Sequence, residues 1–142
     1  MAAPHRPRRR TWSLWALGVL VLLAACEATV GSDPDGLAGR TFVSSRAAGH
    51  DLVPGSEVRI IFQSDRIVVR AGCNTLSGAA TWREGTLVVE QPMAHTMMAC
   101  VDDLERQDDW LESFLLSSPS LRLDDGVLVL GDDDEGLALA EQ

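Results

Sequence analysis

From residue 41 onward, apolar and polar positions alternate in short runs broken by turn residues. In EVRIIF (57–62), Val58, Ile60 and Phe62 fall on one face and Arg59 on the other, the period-2 signature of a strand with one buried face. The same reading predicts strands over TFVSS (41–45), RIVVRA (66–71), SGAATW (77–82) and TLVVE (86–90), with QSD and REG as tight connections. Further on, SLRL (120–123), the DDG turn at 124–126 and VLVL (127–130) predict a hairpin. GDDDEG (131–136) then turns into a last strand, LALAE (137–141).

One segment has a different period. In VDDLERQDDWLESFLLS (101–117), Val101, Leu104, Leu111 and Leu115 recur at helical spacing, and Trp110 and Phe114 form an i, i+4 pair. Asp102 or Asp103 is placed to cap the N-terminus and load the positive end of the helix dipole, while SSP (117–119) stops the helix. The acidic clusters VDD (101–103) and QDD (107–109) are assigned to its first turn and outer face. Many short strands with one helix predict an α+β, mainly β class. The expected architecture is a small antiparallel β-barrel-like, strongly curved sheet of about eight short strands, with one amphipathic α-helix inserted between strands 5 and 6. Repeats of solenoid length are not apparent.

The first residues change the picture of where this domain resides. MAAPHRPRRR carries four arginines and no acid, and TWSLWALGVLVLLAA follows as an apolar run of 15 residues, short for a membrane span. LAAC, Leu23–Cys26, then resembles a lipobox, in which the cysteine is acylated and the chain cut before it. Residues 1–25 are thus read as a lipoprotein signal peptide, with an ordinary secretory signal or an uncleaved anchor as alternatives. RRRTWSL also has the arginine pair of a twin-arginine signal, so both export routes stay open. Residues 26–39, the lipidated Cys26 and a Gly/Pro-rich stretch, are expected to form a flexible tether, and residues 40–142 the folded domain. The protein is expected to be exported and anchored by lipid on Cys26 to the outer face of the plasma membrane, or to a periplasmic leaflet in a two-membrane host.

Charge narrows the partners. Beyond Cys26 stand eight arginines against 21 acidic residues, a net charge of −13. Such a surface repels nucleic acid, so no nucleic-acid partner is expected; the expected partner is an envelope protein or peptide.

With Cys26 assigned to lipid, Cys73 and Cys100 remain, and two cysteines in an exported chain most often pair. The alternative is two buried free thiols. A zinc or haem site from Cys73, His95 and Cys100 lacks CxxC or HxxxH spacing. A cysteine nucleophile with His95 as base needs a free thiolate. GDDDEG does not have the alternating acids of a calcium loop and reads as a solvated turn. Asn74, with Thr75 and Ser77 near it, is read as turn chemistry. In QPMAHTMMA (91–99), Met93, His95, Met97 and Met98 form a candidate recognition loop, although a cap on the barrel end with its sulfurs buried is the first expectation.

AGCNTLSG (71–78), with Gly72, Cys73, Asn74, Ser77 and Gly78, and the later TMMAC (96–100), with Thr96, Met97, Met98 and Cys100 just ahead of an amphipathic helix, resemble the META domain, or HslJ-like family, which includes heat-shock lipoproteins of the bacterial envelope. The resemblance runs from about Leu37 to Ala140; Phe42 stands where the family often has Trp. It implies a barrel-like domain with one helix and a lipid anchor, a link to stress tolerance, and no established reaction. The expected function is therefore a non-enzymatic, lipid-anchored envelope domain that binds a protein or peptide or supports envelope integrity, without cofactor or metal. The alternatives are a barrel holding a small apolar ligand, against which an interior filled by Val58, Ile60, Phe62, Val88 and the helix's apolar face would argue, and a Cys/His hydrolase.

Overall fold

The computed structural model describes residues 36–44 and 46–142. The expected signal peptide, the expected lipidation site Cys26 and the expected tether up to residue 35 lie outside the described residues. The elements in chain order are β1 (Thr41–Ser44), β2 (Ala47–Ala48), β3 (Val58–Phe62), β4 (Arg66–Arg70), β5 (Thr75–Arg83), β6 (Thr86–Val89), β7 (Ala94–His95), α1 (Asp102–Leu116), β8 (Leu121–Asp124), β9 (Val127–Gly131) and β10 (Gly136–Glu141).

Every strand pair is antiparallel, in the order β6-β5-β4-β3-β1-β10-β9-β8, with β2 added on β10 and β7 on β5. The two ends of this path meet. Leu87 N–H donates to Pro119 O at 3.0 Å, Leu121 N–H donates to Gly85 O at 2.7 Å, and Thr86 and Ser120 form an antiparallel bridge. The sheet is thus a nearly closed barrel of eight principal strands, which satisfies edge groups that an open sheet leaves unpaired.

Local chemistry sets the turns. Glu84-Gly85 and Asp125-Gly126 are two-residue hairpin loops with positive φ at both positions (53° and 72°, 46° and 81°), the mirror-image turn that suits the twist of paired strands. At the β9–β10 corner, a Cβ added to Gly136 would stand 2.3 Å from Asp132 O and 2.8 Å from Leu130 O. Both are backbone atoms, so only glycine fits this close approach.

The barrel is filled by side chains. Phe42, Phe62 and Trp82 form a chain of edge-to-face rings with centroids 5.9 and 5.1 Å apart, joined by Ile60, Ile67 and the helix residues Leu111 and Leu115. Phe42 is fully buried and Arg40 lies over its ring.

Four expectations need correction. The helix follows β7, not the fifth strand, because the two-residue strands β2 and β7 precede it and are too short to show any alternation. In TLVVE, Leu87 and Val89 face inward and Val88 is exposed, since pairing with Trp82 and Ala80 sets the register. The N-cap is Val101, without a side-chain cap bond; Asp102 and Asp103 are first-turn residues. Finally, the folded unit extends before Arg40. Leu37 is fully buried, Arg40 N–H donates to Leu37 O, and Gly39 N–H donates to Phe62 O.

Candidate functional site

The two sequence motifs meet at the start of the helix. β4 ends at Arg70, and Ala71–Asn74 turns across the barrel mouth before β5. There Cys73 and Cys100 form a disulfide, with Cα atoms 6.0 Å apart and a sequence separation of 27. The staple joins the β4–β5 turn to the segment that enters α1.

Asn74 organises what surrounds it. Its Oδ1 accepts from Thr96 Oγ1 at 3.1 Å and Met98 N–H at 3.0 Å, and its Nδ2 donates to Cys100 Sγ at 3.2 Å. Thr75 N–H donates to Thr96 Oγ1 at 3.0 Å, and Thr96 N–H to Thr75 O at 3.0 Å. One amide side chain thus replaces the regular ladder that the 96–100 loop lacks. The sequence reading of Asn74 as turn chemistry was too local, for its partners lie 22 to 26 positions away.

The helix supplies two polar residues that periodicity assigned to its outer face. Gln107 and Asp108 are 1% and 3% exposed. Gln107 Oε1 accepts from Val53 N–H at 2.6 Å; its Nε2 donates to Ser56 Oγ at 2.9 Å and to Ala71 O. Asp108 Oδ2 accepts the Asn74 N–H at 2.8 Å, while its Oδ1 has no hydrogen-bond partner among the described residues. A signal was present. Leu104, Asp108, Leu111 and Leu115 share one 4-3-4 stripe, so Asp108 stands on the apolar face.

The glycines make room for this arrangement. A Cβ on Gly72 would lie 2.6 Å from Leu104 Cδ2 and 3.3 Å from Gln107 Nε2. One on Gly78 would lie 3.1 Å from Val89 Cγ1 and 3.3 Å from Met93 Cγ. Ser77 stays on β5, paired with Ala94 of β7.

The methionine loop divides in two. Met93 is buried, as a barrel cap should be. Met97 and Met98 are not; they are 94% and 61% exposed, and Val101 is 66% exposed. His95 Nε2 lies 3.0 Å from Glu112 Oε1 on the helix.

This geometry bears on the chemical alternatives. With both sulfurs in one bond, neither is a thiolate available for nucleophilic attack. Among the described residues, one group could converge on a cation, Cys73, Cys100 and Asp108, and His95 is not part of it. In GDDDEG, Asp132 Oδ1 accepts the N–H groups of Asp134 and Glu135, both at 3.0 Å. These bonds, Glu135 first, hold the Asp132 carboxyl below the usual carboxylate range. The turn is therefore closed by its own first acid.

An open groove of about 620 Å³ borders the disulfide. Its lining combines residues 53–57, the arginines Arg59 and Arg70, the turn residues Gly72 and Cys73, Thr75, and the apolar Met98 and Leu104.

No curated protein matches the sequence. Among solved structures, an NMR structure of a protein from Burkholderia xenovorans matches with a TM-score of 0.58 and 15% identity, covering 75% of this chain and 83% of that one. A second NMR structure matches with a TM-score of 0.57 and 21% identity, covering 73% of this chain and 90% of the other. At these identities the likeness is one of fold. A family model described as META domain spans residues 35–142, which takes in the barrel, the helix and both motifs. The chain belongs to the META-domain family.

Proposed function

We propose that this protein is a non-enzymatic binding module of the cell envelope, anchored by lipid on Cys26, that engages a protein or peptide and so supports envelope integrity under stress. One observation carries the reading. Met97, Met98 and Val101 expose their side chains within five positions of each other, on a loop whose backbone is held by Asn74 and the disulfide. Apolar side chains kept in water on an ordered frame are characteristic of interaction sites, and methionine adapts to varied partner shapes. The barrel interior is packed with its own side chains, which favours a surface partner over an apolar ligand in the lumen.

The anchor reading rests on the basic, apolar and LAAC segments of the sequence. Among the described residues, no helix is long and apolar enough to cross a membrane. Two experiments test the proposal. A photo-crosslinking residue at Met98 in the native host is expected to capture a discrete envelope protein, and the same probe at Val127 is not. Equal capture patterns at both positions would refute the binding role. Cys26→Ala is expected to leave the signal uncut or to release the protein from the membrane fraction. Unchanged processing and membrane recovery would refute the anchor.

A further inference from the structure

We infer that the groove beside the Cys73–Cys100 disulfide binds a peptide segment of a partner protein that presents a single carboxylate next to an apolar side chain. This deepens the binding role proposed above and rests on it.

The pair of arginines in the groove lining is unusual for this chain. Arg59 and Arg70 stand directly opposite each other on β3 and β4. Like charges in that relation destabilise a sheet. They do so in a chain of 21 acidic and 12 basic residues, where pairing with an acid would be easy to arrange. Arg59 has such a partner, Glu57 Oε1 at 2.8 Å. Arg70 does not: its Nε donates to Thr75 Oγ1 at 3.0 Å, and it forms no ion pair among the described residues. The Thr75 bond orients the guanidinium and leaves its terminal nitrogens for a carboxylate.

The apolar lining includes Met98 and Leu104, and Met97 and Val101 adjoin Met98 in sequence. Three of the five large apolar side chains exposed in the described structure belong to this one loop. The groove volume of about 620 Å³ is that of a site that holds a few side chains. Charge complementarity therefore selects an anionic occupant with an apolar anchor. The net charge of −13 opposes a run of acids, which limits the occupant to one carboxylate.

The test pans a random displayed peptide library on the full chain, followed by affinity measurements on synthetic copies of the enriched sequences. Enriched peptides are expected to carry one Asp, Glu or free C-terminal carboxylate beside Leu, Ile, Phe or Met. Arg70→Ala is expected to weaken binding by about tenfold, the loss of one charge-assisted contact, and Met98→Asp to abolish it. Arg83→Ala, exposed on β5 outside the groove, is expected to change nothing. Arg70 and Met98 are both exposed, so these variants keep the fold, which circular dichroism verifies. Binders without a carboxylate that are indifferent to Arg70→Ala would overturn this inference and leave the binding role standing. No enrichment, or enrichment unaffected by Met98→Asp, would overturn both. Dimers in sedimentation that Met98→Asp dissolves would make the occupant a second copy of this chain, and the inference would fall.

Discussion

The Cys73–Cys100 disulfide should carry a large share of this domain's stability, and removing both cysteines tests that claim. The bond closes a loop of 27 positions that contains β5, β6 and β7. Chain entropy makes such a closure worth about 3.5 kcal/mol. Cys100 Sγ also accepts from Asn74 Nδ2 at 3.2 Å, and losing a partly buried acceptor adds about 1 kcal/mol. Against a total of roughly 5–15 kcal/mol for a domain, a loss of about 4 kcal/mol is a substantial fraction. It corresponds to a fall of roughly 15–30 °C in melting temperature. Urea unfolding of the Cys73→Ala/Cys100→Ala protein, followed by tryptophan fluorescence, measures it directly. The wild type in reductant should unfold at the same midpoint as the variant. The denaturant slope should rise in both, because the uncrosslinked chain exposes more surface when unfolded. A loss below about 1 kcal/mol would refute the reasoning. It would mean that residual contacts already close this loop in the unfolded chain.

Two further predictions concern polar groups. Gln107→Ala strips Val53 N–H, Ser56 Oγ and Ala71 O of a partner and should cost about 3 kcal/mol, with faster hydrogen exchange at the Val53 amide; Gln107→Met, which keeps the volume, should recover little of it. Full rescue by Met would show that packing, not hydrogen bonding, is what this side chain provides. At acid pH, Glu141 is held below the usual carboxylate range first by its side-chain hydrogen bonds from Arg40, at 2.6 and 2.5 Å. A depressed folded value favours the ionised form in the native state. Its contribution is therefore present above the ordinary carboxylate range and lost as the pH falls through the lowered value. Glu141→Gln should flatten the fall of stability with acidification, read from urea midpoints across pH; parallel curves for variant and wild type would count against the pairing.

What the sequence could and could not announce follows from the range of the forces involved. Val58, Ile60 and Phe62 declare β3 because a strand with one wet face must alternate, and α1 declares itself through Leu104, Leu111 and Leu115 for the same reason. The inward choice between Val88 and its neighbours did not declare itself, since two adjacent valines fit either register and the decision belongs to the pairing with β5. The two-residue strands β2 and β7 have no period at all. Gln107 and Asp108 were hidden for a different reason. Their partners, Val53, Ser56, Ala71 and Asn74, lie 34 to 54 positions away. No local window contains both ends of such a bond.

These long polar links also explain how the methionine loop keeps its shape. Residues 96–101 belong to neither a strand nor the helix, so their backbone groups need side-chain partners or water. Asn74 and Thr96 meet part of that need, and the Cys73–Cys100 bond fixes the far end. A loop tied at both ends in this way holds a fixed backbone course, from which Met97 and Met98 project into water. Burying one methionine side chain would gain roughly 1.5–3 kcal/mol. Losing Asn74's three side-chain bonds would cost a comparable or larger amount. A rearrangement that buried one methionine by giving up Asn74's bonds would thus return no net stability. Polar residues shared by both motifs hold apolar ones in water.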